Sequence, residues 1–289
     1  MMTTRLFSVF IFFHALLAGC GPPRSGRGEA IDATDQYEEV QLGKINKQEM
    51  QESSGLAEAA PNGAGFWTHG DGGSPSVLYR VSRTGALLAT VPVPGASNRD
   101  WESLAHDPQG RLYVADLGNN DNSRRYLAIY RFDPAHPEQP VDTIRISYPD
   151  QRGFPPRKSE RNFDCEASYF ANDSLHLFTK NRSKGGLWTK QYSVPARPGT
   201  YVATLRDSLE LETWVTDASI SPDGRTVALL GYGFVYLFEG EPTQRVFDRR
   251  RLRIRVESSG QAEAVTLINN SDLVFTNENG KIFEIKKTR

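Results

Sequence analysis

Cysteine is scarce in this sequence: Cys20 and Cys165 are the only two among 289 residues, so disulfide bonds cannot form the framework of the fold. An excess of charge of one sign is also lacking, because 34 Lys and Arg stand against 35 Asp and Glu. This balance argues against a nucleic-acid partner. No convincing amphipathic helical pattern extends beyond two turns, which argues against a helical protein.

Glycine, proline and aromatic residues are plentiful instead, with 25 Gly, 17 Pro, 15 Phe, 11 Tyr and 4 Trp. Short segments of alternating apolar residues, such as RLYVADL and FVYLFEG, are separated by turn sequences such as DPQG and SPDG. These patterns are typical of short β-strands joined by tight turns. The sequence therefore predicts an all-β fold.

The N-terminus resembles a bacterial lipoprotein signal. A basic residue, Arg5, precedes an apolar run from Leu6 to Leu17, and the junction LAGC ends at Cys20 in the manner of a lipobox. We predict a signal peptide over residues 1–19 and a lipid anchor on Cys20, which would hold the mature protein on a membrane without a spanning helix. The alternative is an ordinary signal peptide that ends near a cysteine by chance.

The segment after Cys20 is rich in Gly, Pro and charge and poor in large apolar residues. Residues 20–36 are therefore predicted to form a flexible tether, and residues 37–289 a single folded domain. Gly21 follows the lipidated cysteine where Asp would favour retention in the inner membrane. By resemblance to lipoprotein sorting, the expected location is the bacterial cell envelope, at the outer membrane.

An internal repeat organises the strands. Five similar segments recur, each followed by further strands: ESSGLA at 52–57, DWESLA at 100–105, DCEASYF at 164–170, TDASIS at 216–221 and AEAVTL at 262–267. The repeat predicts a β-propeller of five four-stranded blades, with the N-terminal strand YEEVQLGKI closing the last blade. A six-bladed ring is the alternative, and it would need another innermost strand between residues 102 and 166.

Oxygen-bearing side chains recur at one point of the repeat: Ser54, Glu102, Glu166, Ser219 and Glu263. The first strand of each propeller blade lines the central channel, so several carboxylates would meet near one axis. Such crowding is costly unless a cation or protons neutralise it, and Ca²⁺ suits an irregular set of oxygen ligands. The sequence predicts an axial Ca²⁺. A water-filled channel lined by solvated carboxylates is the alternative.

The stretch DWESLAHDPQGRLYVADLG resembles the second-blade segment of the calcium-activated nucleotidases, also called soluble apyrases. The resemblance implies a five-bladed propeller with one central Ca²⁺, held here by the same five serine and glutamate residues. It also implies that Asp71, in FWTHGDGG, lies at the nucleotide site and that FTKNR is a basic strand end. The basic and aromatic substrate-binding residues of that family are only partly matched.

Polar side chains follow the second strand of each predicted blade, and they should therefore surround one mouth of the channel. They are His69, Asp71, Asp116, Asn119, Asn120, Lys180, Asn181, Arg182, Tyr232, Asn277 and Glu278. These groups predict a site for a polar or phosphorylated ligand, with Lys180 and Arg182 on its anion. In a hydrolase, Asp71 or Asp116 would orient the attacking water. Polar loop ends that serve solubility alone are the alternative.

Two functions follow from these patterns. The favoured one is a membrane-tethered, Ca²⁺-containing module that binds a small molecule or an envelope protein, because no complete catalytic set is present. The alternative is a Ca²⁺-dependent hydrolase of nucleotides or other phosphorylated substrates. Whether the protein is an enzyme is left open, since propellers serve both purposes.

The lipid anchor can be tested by replacing Cys20→Ser. We expect the wild-type protein to incorporate an alkyne-labelled fatty acid and to sediment with outer membranes, and the variant to do neither, because the thiol is the acylated group. Cys165→Ser serves as the control and should keep both properties. Equal labelling of wild type and Cys20→Ser would contradict the prediction.

Overall fold

The structure is a computed structural model that describes residues 28–50, 52–59, 65–256 and 260–288. The predicted signal peptide and Cys20 lie outside these residues. Within them the regular secondary structure is almost entirely strand, with three short 3₁₀-helices at Thr34–Gln36, Lys158–Glu160 and Val246–Asp248. No helix in this part of the chain has the length and apolar character needed to cross a bilayer.

The strands follow one another along the chain in blade-sized groups. The described part starts with β1 (Ile31–Asp32) and β2 (Tyr37–Lys44). Next come β3 (Gly55–Glu58), β4 (Phe66–His69), β5 (Val77–Val81) and β6 (Leu87–Pro92), then β7 (Ser103–His106), β8 (Leu112–Asp116), β9 (Leu127–Phe132) and β10 (Asp142–Ser147).

The second half of the chain repeats this order. Its strands are β11 (Asp164–Ala171), β12 (Ser174–Lys180), β13 (Trp188–Pro195), β14 (Gly199–Val202), β15 (Thr204–Glu210), β16 (Val215–Ile220), β17 (Thr226–Gly231), β18 (Phe234–Glu239) and β19 (Arg250–Arg255). The last three are β20 (Ala262–Leu267), β21 (Leu273–Asn277) and β22 (Lys281–Lys287).

These strands form five small antiparallel sheets, each built around four strands, arranged as the blades of a β-propeller. The first blade contains β3–β6, the second β7–β10, the third β11–β13 with β15, the fourth β16–β19 and the fifth β20–β22 with β2. A fifth strand extends two of them in parallel pairing: β14 beside β10 and β1 beside β19. The five-bladed prediction is confirmed.

Burial along the strands follows their place in the blade. Every residue of β8 and β17 is buried, whereas the outermost strand β6 alternates between half-buried and exposed positions. An inner strand is covered on both faces by neighbouring blades, so it is apolar throughout, and an outer strand has one face in water. Five buried hydrophobic clusters, one at each junction of neighbouring blades, form the core.

The ring closes through pairing of the two ends of the chain. Strand β2 lies antiparallel to β22, with Tyr37 opposite Lys287 and Gln41 opposite Phe283. This confirms the prediction that the segment from Tyr37 completes the last blade. Part of the predicted tether is also held against the propeller, since Ile31 of β1 pairs with Leu252 of the fourth blade.

The centre of the channel is filled by a hydrogen-bonded carboxylate. Asp217 of the fourth blade is 1% exposed, and its oxygens accept from the Ser103 hydroxyl at 2.7 Å and from the Val265 backbone N–H at 2.8 Å. The Ser168 hydroxyl donates in turn to Ser103 Oγ at 3.0 Å. Because Asp217, Ser103, Ser168 and Val265 belong to different blades, these bonds link four blades. Burial raises the pKa of Asp217 well above its ordinary value.

Replacing Asp217→Ala should lower the free energy of unfolding by about 2–5 kcal/mol, because the Ser103 hydroxyl and the Val265 N–H would lose their buried acceptor. Urea unfolding followed by circular dichroism measures this change. Asp217→Asn keeps one acceptor oxygen but places an amide NH2 group against the second donor, so it should also be destabilised. A loss below about 1 kcal/mol in Asp217→Ala would show that the hydrogen bonds are not what Asp217 contributes.

Candidate functional site

Each innermost strand begins at one mouth of the channel with an extra residue, a β-bulge. Pairing skips Glu166 in β11, Thr216 in β16 and Glu263 in β20. The same arrangement holds at β3 and β7. The Ser54 N–H donates to the carbonyl of His69, which pairs with Gly55. The Glu102 N–H donates to the carbonyl of Ala115, which pairs with Ser103. The bulges therefore place Ser54, Glu102, Glu166, Thr216 and Glu263 at equivalent positions.

Four of these five residues are the predicted metal ligands, but the fourth blade differs from the prediction. Ser219 lies three residues beyond the bulge, where its hydroxyl accepts from the Leu267 N–H at 2.9 Å. It lines the cavity at the opposite mouth. The bulge residue is Thr216, which is 2% exposed and whose Oγ1 has no hydrogen-bond partner among the described residues.

Three carboxylates gather between the first and second blades: Asp71, Asp100 and Glu102, here called the acidic trio. One oxygen from each lies within 4.8 Å of the others, and all three residues are half-buried. Asp71 follows β4, whereas Asp100 and Glu102 precede β7. No ion pair joins the trio to any Lys or Arg that the structure describes.

Two glycines leave room for the acidic trio. A Cβ on Gly118 would lie 2.3 Å from Asp100 Oδ2 and 2.6 Å from Glu102 Oε1, and a Cβ on Gly72 would lie 2.5 Å from Asp100 Oδ1. All three distances are shorter than a real Cβ atom tolerates. The backbone thus approaches the carboxylates as closely as a residue without a side chain allows, and it forms a cradle around their oxygens.

Electrostatic repulsion within this mouth is large. Burial, together with the negative charges of Asp164 and Asp71, raises the pKa of Asp100 to about 6. Burial and the neighbouring Glu166 and Asp71 raise the pKa of Glu102 well above its ordinary range. The ionised trio is therefore costly by itself, and a bound cation would relieve that cost.

The third blade shows the opposite situation, because its carboxylates are matched by cations. Lys180 Nζ lies 3.0 Å from Glu166 Oε2, and Arg182 contacts Glu166 Oε1 at 2.9 Å and Asp164 Oδ2 at 2.5 Å. Glu166 therefore has two protein cations as partners, in contrast to Glu102. Lys180 and Arg182, which the sequence analysis assigned to a ligand anion, therefore pair with carboxylates of the third blade.

Glu263 completes the charged lining of this mouth. Burial raises its pKa to about 7, an effect that Lys180 opposes and Asp71 strengthens. The Asp71 charge raises the pKa of Glu102 as well as that of Glu263.

Several residues predicted to bind ligand or act in catalysis have structural partners instead. Asp116 is buried and paired with Arg124 at 3.0 Å, and its Oδ1 accepts from the Asp100 N–H at 2.9 Å, so it positions the trio rather than facing the mouth. His69 is fully buried against Trp101, with ring centroids 5.5 Å apart. These two side chains do not face solvent at the mouth.

The predicted asparagine residues and Glu278 differ in their exposure to solvent. Asn119 is buried, and its N–H donates to Asp164 Oδ1 at 2.6 Å, which joins the second and third blades. Asn181 is buried and donates to the Gly186 carbonyl at 2.7 Å. Asn120 is exposed and Glu278 is half-buried, so both remain accessible to a ligand.

The sequence analysis missed one exposed aromatic residue, Trp214, which lies beside the predicted Tyr232. Trp214 is 39% exposed and lies edge-on to Tyr232, with ring centroids 6.3 Å apart. The Tyr232 hydroxyl accepts from Lys180 Nζ at 3.2 Å and from Gln261 Nε2 at 3.1 Å, which places the pair beside Glu166. The sequence feature that could have pointed to Trp214 at the mouth is its position, two residues before the bulge at Thr216.

Comparison with known proteins identifies the fold. No protein-family model and no curated protein matches the chain. An aldose sugar dehydrogenase from Streptomyces coelicolor, solved in its PQQ-bound form, is similar at 12% identity and a TM-score of 0.51, over 86% of this chain and 98% of that one. The chain is a five-bladed β-propeller.

Two further structures are similar at TM-scores below 0.5. A putative gluconolactonase has 11% identity and a TM-score of 0.48, over 87% of this chain and 92% of that one. Virginiamycin B lyase from Staphylococcus aureus has 12% identity and a TM-score of 0.41, over 82% of this chain and 66% of that one. At such identities fold does not transfer activity, and the resemblance to calcium-activated nucleotidases stays a prediction from the sequence.

Proposed function

We propose that this protein is a lipid-anchored β-propeller of the bacterial cell envelope that binds Ca²⁺ at the acidic trio. The bound ion would in turn bind a polar ligand or an envelope partner. The observation that carries the proposal is the acidic trio: three carboxylates within 4.8 Å that have no Lys or Arg partner among the described residues. Placing carboxylates together at such a cost is expected where a cation neutralises them.

The chemistry of the donor set favours Ca²⁺ over other ions. Asp71, Asp100 and Glu102 offer only oxygen ligands, which hard cations prefer and which lack the nitrogen or sulfur typical of zinc sites. Ca²⁺ accepts six to eight ligands in irregular geometry, whereas Mg²⁺ demands a near-octahedral set. Three residues from two blades, supplemented by water and ligand oxygens, fit the more tolerant ion.

A ligand would find its contacts around this ion. The trio is half-buried beside the exposed Gly72, so a bound ion would retain access to solvent and to ligand oxygens. Across the mouth, the exposed ring of Trp214 offers an apolar face for stacking. These features support binding of a ligand that combines oxygen donors with a ring or other flat apolar surface.

A second candidate function, Ca²⁺-dependent hydrolysis of phosphorylated substrates, is favoured by one observation. Asp71, one of the two residues predicted to orient the attacking water, belongs to the acidic trio, which would hold the cation that stabilises developing charge. Against this function, Asp116 is committed to Arg124, and Lys180 to Glu166. The binding module therefore remains the favoured function.

The cation site is tested by thermal unfolding of the purified protein in Ca²⁺ and in EDTA. At a Ca²⁺ concentration of about 100 times Kd, binding stabilises the fold by about 2.7 kcal/mol, which corresponds to a rise in Tm of roughly 5–10 °C. Glu102→Gln should abolish most of that rise while leaving the Tm in EDTA unchanged or higher, because it also removes repulsion.

Glu138→Gln, at an exposed position outside the mouth, provides the matched control and should retain the full effect of Ca²⁺. A wild-type Tm that is the same in Ca²⁺ and in EDTA would overturn the proposal.

The hydrolase alternative is tested by release of inorganic phosphate from ADP and ATP. If the alternative holds, release requires Ca²⁺ and is lost in Asp71→Asn, because the carboxylate that orients the metal-bound water is gone. Under the favoured function no release occurs. Turnover that persists in Asp71→Asn would exclude the acidic trio as its source.

A further inference from the structure

A large cavity occupies the other mouth of the channel. Its volume is about 1030 Å³, and residues of all five blades line it, from Leu56 of the first to Thr266 of the fifth. Along their strands, Ser103 lies between Glu102 of the acidic trio and the first lining residue Leu104, and the buried Asp217 directly precedes the lining residue Ala218. Its volume is at the upper end of the range for sites that bind small molecules. We call it the lower cavity.

Apolar side chains form much of its wall. Leu104 and Leu267 contribute from innermost strands, and Phe170, Leu205 and Ile220 stand around the opening. Leu205 is 40% exposed, and Phe170 and Ile220 are only partly buried. Exposed apolar groups on the wall of a concave site favour a ligand with an apolar body.

Two guanidinium groups on the same wall have no acidic partner in the part of the chain that the structure describes. Arg249 is 7% exposed, and its donors reach only the backbone carbonyls of Gln244, Gly224, Arg225 and Pro242. Arg206 is exposed and donates to the Ser193 hydroxyl at 2.6 Å. A nearly buried cation without a counter-ion attracts an anion.

The acidic residues on the wall do not supply that counter-ion. Asp107 is bound by Arg111 at 2.6 Å and by the Tyr113 hydroxyl at 3.1 Å. Asp223 accepts from the Ser221 hydroxyl at 2.6 Å and from the Arg225 N–H at 3.0 Å. Glu58 lines the first-blade side, where it also has a partner. The third lining arginine, Arg245, is paired with Asp207 at 2.6 Å.

Arg206 lies near His176 on the wall of the cavity, because its Nε donates to the hydroxyl of Ser193, which pairs with His176 between β12 and β13. His176 stacks on Tyr169 with ring centroids 4.8 Å apart, and its Nδ1 lies 3.3 Å from Gln191 Nε2. Burial and the charges of Arg206 and Arg249 lower the pKa of His176 to about 4. The imidazole is therefore neutral at physiological pH, and the positive potential at this wall comes from the arginines.

We propose that the lower cavity binds an organic anion with an apolar body, of the class of medium-chain alkyl carboxylates, with the carboxylate beside Arg206 and Arg249 and the chain along the apolar wall. This site is separate from the acidic trio and does not depend on Ca²⁺.

The probe is decanoate, titrated calorimetrically into the purified protein, with decanol and decylammonium as neutral and cationic analogues of equal chain length. Decanoate should bind with a Kd at least tenfold lower than either analogue, since the three share a ten-carbon skeleton and only decanoate carries a negative head group. Arg206→Glu should raise the Kd for decanoate about tenfold, and because Arg206 is exposed the variant should fold normally.

Arg152→Glu is the control: it makes the same charge change at an exposed residue outside the cavity lining and should leave the Kd unchanged. Leu205→Gln should weaken decanoate and decanol alike. Repeating the titration in EDTA should give the same Kd, so a failure of the Ca²⁺ site would not affect this result. Equal binding of decanoate and decanol, equal effects of Arg206→Glu and Arg152→Glu, or no binding of decanoate would each overturn the proposal.

Discussion

The carboxylate of Asp217 is the constraint on which the centre of this propeller depends. A buried acid is tolerated only when donors surround it, and here the donors come from other blades: the Ser103 hydroxyl and the Val265 N–H. Such bonds require the blades to sit at a fixed height and rotation relative to one another. The innermost strands are held together at Asp217. Their bulges lie on one side of this residue and their C-terminal ends lie on the other.

This division separates charge of opposite sign. On the bulge side, carboxylates outnumber the cations that face them, and Lys180 and Arg182 neutralise only the third-blade members. On the other side, Arg206 and Arg249 lie beside apolar side chains, and the lining carboxylates Asp107 and Asp223 are bound by other groups. One β-propeller thus presents two chemically different surfaces about a single axis, although its total charge is close to zero.

Much of the fold was predictable because it follows from periodicity. Alternating strands, turn sequences and the fivefold repeat gave the blade number and the closing strand, and these depend on local spacing. The site was harder. Ser219 and Thr216 are both hydroxyl residues in TDASIS, and nothing in the sequence indicates which of the two lies at the bulge. The pairing of Lys180 with Glu166, and the exposure of Trp214 while Trp101 is buried, depend on neighbours in other strands.

The closing pair of β2 and β22 has a consequence for the order of folding. Strand β2 is synthesised before the strands of the first blade, and its partner β22 is synthesised after every other strand of the ring. Until β22 is available, β2 is an unpaired edge, and the junctions of the fifth blade with its neighbours cannot form completely. Closing a loop that spans all five blades is entropically costly and slow. The ring is therefore expected to close only once β22 has been made, with the first four blades as the template for the fifth.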